Sequence, residues 1–398
     1  MQDLEFTVFA REPEANESLQ ALIGLAAQRK NVNVHLDLQP WSGGWPRMVS
    51  VALYRSGPDI SEIGSTWIGD FVRMDALQPF TPQEIQRLGG GDKFLPSCWD
   101  VAVSPQKDGP AGVPWSIPWS ADTRCICYRR DLLRKAGVDE AQAFGDAEQL
   151  DETLRRLKKA GVEAPLSLPT LRSRLTIHFV ASWLWKAGGD FVEKGFREVS
   201  FDRPEALQAM GQYFSLGQYL PENNRFIDEP TANNLFLQGQ AALVFGGHWI
   251  LQAAQAIPSL KANLGVAPMP GVPFVGGTHL VVWKHSAKKS QVMQVIEFLV
   301  RDDAALSIFP GFGLPSWLSG LEKHPLAADP NYQVLSRMLK TGRAFPSGQL
   351  WGLVENRLVD SFPLIWKEVL SQENPDIDTI LHNYLDPVAR RLNLTMQG

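Results

Sequence analysis

The stretch "AALVFGGHWI" (residues 241–250) decides how this chain is read. Five small or branched apolar residues run into Gly246 and Gly247, and His248 and Trp249 follow. A run this continuously apolar does not suit a strand with one wet face. It reads as a central strand covered on both sides. The two glycines allow positive φ and close backbone approach at its carboxyl end. A helix is then expected over 248–256. In an open α/β sheet, ligands sit outside the carboxyl ends of the strands, near free helix N–H groups. Trp249 therefore stands either at a binding site or as packing for its own helix.

The same grammar runs outward along the chain. "LEFTVFA" (4–10), "VNVHLDL" (32–38) and "PDISEIG" (58–64) read as strands. Between them lie a helix at 16–30, with Asn16 as its expected N-cap, and another near 45–55. That order predicts an α/β fold, a mostly parallel sheet flanked by helices. The pattern resumes at "TRCICY" (123–128), "APLSL" (164–168) and "THLVVW" (278–283), and the last hundred residues read as mostly helical. Three Pro- and Gly-rich segments make poor element interiors: "GVPWSIPWSAD" (112–122), "APMPGVPFVGG" (267–277) and "FPGFGLPSW" (309–317). Taken as crossings, they define two interleaved lobes. The first holds 1–118 and 271–315, the second 119–270 and 316–398.

A chain of 398 residues suits two domains. With 44% hydrophobic and 20% charged residues it has an ordinary globular balance. A net charge of −5 gives no reason to expect nucleic acid or an anionic membrane. No run of 18 apolar residues occurs. No leader pattern precedes the first strand, which fits a cytoplasmic protein or a mature chain. The three cysteines, Cys98, Cys125 and Cys127, give no disulfide framework. Cys125 and Cys127 share a strand face and read as small buried hydrophobes, with too few ligands nearby for a metal. No cofactor or metal is expected.

Thirteen tryptophans are unusual. Several follow strand ends. Arg11 and Glu12 come after the first strand, Trp41 and Trp45 ("PWSGGW", 40–45) after the second, Thr66 and Trp67 ("EIGSTW", 62–67) after the third. Together with Trp249 they point to an aromatic-lined site.

Five further stretches, in this order, carry a family resemblance: "SGPDISEIGSTWIGDF" (56–71), "GVPWSIPWSADTRCICYRRDLLRKAGV" (112–138), "SWLWKAGGDFV" (182–192), "FLQGQAALVFGGHW" (236–249) and "GVAPMPG" (265–271). With them the whole chain resembles the sugar-binding extracellular solute-binding proteins of ABC importers, the group that includes maltodextrin-binding proteins. The resemblance implies a two-lobe periplasmic-binding-protein fold of class II type, with lobes joined by hinge segments that close on ligand. It implies a periplasmic, monomeric receptor that captures a mono- or oligosaccharide in a Trp-rich cleft between lobes and delivers it to ABC permease subunits. It also nominates residues. "PWSADTR" suggests Trp119, Asp122 and Arg124. His178 falls where relatives often place an aromatic against the sugar. Trp249 and Trp351 ("SGQLWGLV", 347–354) fall on stacking aromatics, and Gly277 on a loop ("VGGTHL", 275–280) that often touches ligand. No lipid-attachment cysteine lies near the start.

These residue types suit a sugar. Trp covers the apolar C–H face of a pyranose. Carboxylates accept from hydroxyl pairs and Arg donates from a planar fork. Asp122 and Arg124, two apart on one strand, are expected to share a face and to be able to pair. Two other readings stay open. Arg11, Arg124 and Arg343 would serve a glycerol phosphate or another small polar solute if clustered. A glycoside hydrolase needs two carboxylates about 5–10 Å apart, one with a raised pKa, for which Glu12, Asp59, Glu62 and Asp122 are the candidates. Short matches to S-x-x-K (Ser286–Lys289) and K-T-G (Lys340–Gly342) lack the S-D-N between them. No enzyme is expected.

Overall fold

The computed structural model describes residues 3–103, 112–193, 195–346, 348 and 350–397. The chain divides into two compact units. The first comprises Met1–Asp122, Val275–Tyr332 and Ala344–Trp351. The second comprises Thr123–Phe274, Gln333–Arg343 and Gly352–Gly398.

Among the described residues the strands are β1 Asp3–Phe9, β2 Asn33–Gln39, β3 Ile60–Gly64, β4 Ile117–Thr123, β5 Cys125–Arg129, β6 Leu166–Ser167, β7 Leu243–Gly246, β8 Leu264–Pro268, β9 Val275–Val282 and β10 Leu314–Pro315. In the first unit a six-stranded sheet runs β10-β4-β9-β3-β1-β2. The alternation of β1 sorts its side chains by face. Leu4, Phe6 and Val8 share one core with Ile60, Leu280 and Val282. That core is closed by Leu19, Leu22 and Ile23 of the helix Pro13–Lys30 and by Val292, Ile296 and Leu299 of the helix Lys289–Arg301. Phe9 faces the other way, into a core with Ile63, Val281, Trp283 and Phe71. Met48, Val51 and Ala52 of the helix Gly44–Tyr54 complete it.

The sheets are mixed where sequence order suggested mostly parallel ones. β1 pairs in parallel with β2 and β3, but β9 is antiparallel to β3 and β10 to β4. The parallel set is a βαβ series, whereas β9 re-enters from the other unit and carries no such constraint on direction. The second unit holds the sheet β6-β7-β5-β8, with β5 antiparallel to both β7 and β8 and β6 parallel to β7.

The opening stretch is a central strand, as read. β7 lies between β6 and β5, and Leu243, Val244 and Phe245 are buried. Its glycines serve another purpose than expected, since neither adopts positive φ. They are needed for room. A Cβ on Gly247 would lie 2.3 Å from the Trp249 ring, and one on Gly246 would lie 2.8 Å from Ile250.

The crossings also differ from expectation. The chain passes between units at 122/123, 274/275, 332/333, 343/344 and 351/352. The segment 309–317 is not among them. Gly313, at φ 131°, redirects the chain so that Leu314 and Pro315 pair with Ala121 and Ser120 of β4. Phe309, Phe312 and Trp317 then fill the first core. Residues 316–332, expected in the second lobe, therefore belong to the first unit.

Cys125 and Cys127 are buried with their sulfurs 3.8 Å apart. Burial pushes the Cys127 thiol well above its usual range and the Cys98 thiol up to about 12. A thiolate is the reactive form, so none of the three cysteines should react with a thiol-specific reagent at pH 8 until the protein is denatured. Native-state titration of even one thiol within minutes would contradict this packing.

Candidate functional site

The first unit gathers its aromatic residues by register. β1 and β2 end level, with Phe9 opposite Gln39. The helix after β1 starts at Pro13, with Glu12 as its N-cap through backbone alone. Asn16, expected as the cap, instead clasps the backbone of Arg11. Its Oδ1 accepts from the Arg11 N–H at 2.8 Å and its Nδ2 donates to the Arg11 carbonyl at 2.7 Å. The Arg11 guanidinium donates to both oxygens of Glu62 and to the Phe9 carbonyl. Glu62, in β3 and fully buried, also accepts the Phe9 N–H at 2.9 Å. This ion pair ties the end of β1 to β3. The same guanidinium lies over Trp41 at 5.5 Å and Phe312 at 4.1 Å.

On that frame stand three of the expected tryptophans. Trp41 stacks on Phe9, with centroids 4.0 Å apart and planes at 20°. Trp67 sets its edge against Phe9 at 5.7 Å and against Trp41 at 5.9 Å. Trp45 reaches Trp67 at 5.5 Å and Phe71 at 5.2 Å. Trp41 stays 41% exposed, so the cluster presents an aromatic face to solvent. Thr66 is half-buried in the short turn Ser65–Trp67.

Sequence reasoning missed Asp70. It lies three residues after Trp67, in the helix Ile68–Arg73, and the (i, i+3) spacing puts the two on one face. Burial pushes its carboxyl above the usual range, and Arg73, 3.8 Å away, offsets only part of that. A half-buried carboxylate is a strong acceptor for hydroxyls. The signal was present in "TWIGD" and went unread.

Other nominated residues have structural work. Trp119 is fully buried and packs in the core against Phe6 at 6.0 Å and Phe312 at 4.6 Å. Trp351 is 1% exposed and lies on Phe345 at 4.5 Å. Gly277, at φ 137°, lets β9 pass close to β4: a Cβ there would lie 2.1 Å from the Ser120 carbonyl oxygen. Thr278 and Ser120 share a hydroxyl hydrogen bond of 2.7 Å beside it. Glu12 is exposed on the surface. Asp122, half-buried, ends the first segment of the first unit. Arg124, its expected partner, belongs to the second.

In the second unit Arg124 is buried at the start of β5, with its guanidinium 5.2 Å from the Trp249 ring centroid. Its Nη2 donates to His178 Nδ1 at 3.0 Å. His178 thus accepts at Nδ1, which puts its proton on Nε2. Glu355 Oε1 is 4.0 Å from that nitrogen, and Glu355 pairs with Arg174 at 2.6 Å. Burial first, and then the charges of Arg124 and Arg174, hold His178 well below its usual pKa. His178 is neutral, only 12% exposed, and engaged with arginine. Trp249 is half-buried at the first turn of the helix His248–Ala254.

The acids and bases of the alternative readings are also engaged. Asp59 accepts from the Glu5 N–H, the Ser286 hydroxyl and Lys288, which outweigh burial and hold its carboxyl below the usual range. Lys289 pairs with Glu84. Arg343 pairs with Asp190 and lies over Trp185. Among the described residues, no group of three or more His, Cys, Asp or Glu is placed to hold a metal ion.

The family model for bacterial extracellular solute-binding proteins matches residues 10–306. The chain belongs to this family. The diacetylchitobiose binding protein DasA of Streptomyces coelicolor is 22% identical over 366 residues, covering 88% of this chain and 81% of the relative. A Brucella abortus relative is 24% identical over 290 residues, and the match spans 70% of this chain and 66% of that protein. Among solved structures, a Thermotoga lettingae solute-binding protein bound with α-D-tagatose superposes with a TM-score of 0.82 at 19% identity, over the whole of both chains. The sugar-binding protein MalE of Xanthomonas citri gives 0.82 at 22% identity, over 99% of this chain and 98% of that one. The fold of this family member is therefore that of these binding proteins. No helix among the described residues is long and apolar enough to cross a membrane.

Two further buried histidines make the fold acid-sensitive. Burial lowers His279 to about 3 and His324 to about 4. Their unfolded-state value is about 6.5. A depressed folded pKa means that the unfolded chain takes up the proton first. Stability is therefore full above about pH 6.5 and falls as the pH drops, by about 1.4 kcal/mol per pH unit per histidine. Denaturant unfolding at pH 7, 6 and 5 should show this, and His324→Gln should lessen the slope by one proton. An unchanged slope in that variant would refute the assignment.

Proposed function

We propose that this chain captures a neutral sugar, a mono- or oligosaccharide, and hands it unaltered to the permease subunits of an ABC importer, working outside the cytoplasmic membrane as a monomer. The observation that carries this reading is the exposed face of Trp41, backed by Phe9 and flanked by Trp67, with the partly buried Asp70 on the helix that follows Trp67. An aromatic face matches the C–H face of a pyranose, and a desolvated carboxylate matches its hydroxyls. The second unit offers Trp249 over Arg124 as a second such surface. The names of relatives agree in chemistry, one a diacetylchitobiose binding protein and another, from Pyrococcus abyssi, a maltotriose-binding protein.

The alternatives have less support. Arg11 and Arg343 are already neutralised by Glu62 and Asp190, which leaves less positive charge for a phosphate. A glycosidase needs a pair of acids, and Asp59 and Glu62 are occupied in holding the fold. The proposed role is therefore binding without chemistry, and it needs neither metal nor cofactor.

Calorimetric titration with the sugar that binds the wild type tests the site. Trp41→Ala should weaken affinity about 10- to 100-fold, a loss of about 1.4–2.8 kcal/mol. Asp70→Asn should weaken it about tenfold, because one strong acceptor becomes a weaker one. Both residues are at the surface edge, so melting temperatures should stay within a few degrees. Affinities within twofold of wild type in both variants would remove this face from the site.

A further inference from the structure

Phe274 is the last residue of the second unit before the chain enters β9. Its ring is buried and stacks on His178, with centroids 4.3 Å apart and planes at 10°. The Arg124 guanidinium carbon lies 5.3 Å from the Phe274 centroid and 5.2 Å from that of Trp249. Trp249, Arg124, Phe274 and His178 thus form a series of planar groups in contact, and the Arg124–His178 hydrogen bond joins the series a second time.

The backbone of Phe274 is fixed independently of its ring. Its carbonyl accepts the Thr123 hydroxyl at 2.6 Å. It bridges to Arg343, whose N–H donates to the Pro273 carbonyl at 2.8 Å. Thr123 and Arg343 are themselves terminal residues of second-unit segments. Three points where the chain leaves this unit are therefore held together at one residue.

We propose that Phe274 is a positioning residue for the Trp249 sugar surface, acting through Arg124. The inference rests on the sugar-binding reading of Trp249. A free arginine side chain samples many rotamers, and a flat aromatic face on one side with a neutral acceptor at its edge selects a single arrangement. A guanidinium so placed supports the indole face above it by cation–π attraction. Removing the flat face frees Arg124, and Trp249 loses its support without losing any contact of its own with ligand.

The test uses the full chain labelled with 5-fluorotryptophan, with the Trp249 ¹⁹F resonance assigned by Trp249→Phe. In ligand-free protein, Phe274→Leu should shift or broaden that resonance while those of Trp183 and Trp366, in the core of the same unit, stay in place. If Phe274→Leu does not fold, Phe274→Met, which keeps an apolar side chain of similar length but removes the flat ring, carries the same readout. In sugar titrations, Phe274→Leu should weaken affinity about tenfold in the wild-type background and less than twofold in the Trp249→Ala background, the non-additivity expected of residues acting in series. An unmoved Trp249 resonance, or an equal loss of affinity in both backgrounds, would overturn the proposal. If the wild type binds none of the sugars tried, the functional reading fails, while the resonance still decides the role of Phe274.

Discussion

Glu62 is a carboxylate with no exposure to water, placed in a central strand of the first unit. Burying such a charge is costly unless it is paired and hydrogen-bonded, and removing one partner of such a pair typically costs about 3–5 kcal/mol. Glu62 meets that demand with the Arg11 guanidinium and the Phe9 N–H. Both partners lie just at the point where β1 ends. The pairing therefore fixes where the chain leaves the sheet, where the Phe9 ring lies, and so where Trp41 stacks. Asn16 holds Arg11 from the other side through its backbone. The aromatic face of the first unit rests on this one satisfied charge.

The second unit solves the same problem in the same way. Arg11 lies against Trp41 and Phe312; Arg124 lies against Trp249 and Phe274. In each case a permanently charged, planar group lies against a partly exposed tryptophan and a buried phenylalanine. The partner that orients the arginine differs: a buried carboxylate in one unit, a neutral histidine in the other. A rigid aromatic surface loses little entropy on binding. Under the proposed reading, both units turn buried electrostatics into a preorganised surface for the apolar face of a sugar.

Much of this was legible in the sequence, and the failures have physical causes. β2 alternates strictly and β1 does so as far as Val8, and the ends of β2 and β3 pass into glycine and tryptophan, so the clustering of Trp41, Trp45 and Trp67 was legible. Residue type does not tell an indole at a surface from one in a core, so the burial of Trp119 and Trp351 against Phe6, Phe312 and Phe345 was not legible. Nothing local in the sequence shows that Arg124, 54 residues away, donates to His178. The crossing at 332/333 falls inside the helix Pro330–Thr341 and that at 351/352 at the start of the helix Trp351–Ser371, where helical periodicity runs through the boundary. Gly313 carried that signature and served instead to return the chain to its own sheet. Asp70 was passed over because its value lies in partial burial, which spacing alone does not show.

The central claim is that these aromatic surfaces bind a neutral sugar and leave it unchanged. Intrinsic tryptophan fluorescence, followed during titration with mono- and disaccharides and with glycerol phosphates, tests it most directly when the ligand is afterwards recovered and identified by chromatography. The account predicts a saturable change with at least one neutral sugar and recovery of that sugar intact. A response confined to the phosphates, or a sugar recovered as its hydrolysis products, would contradict it.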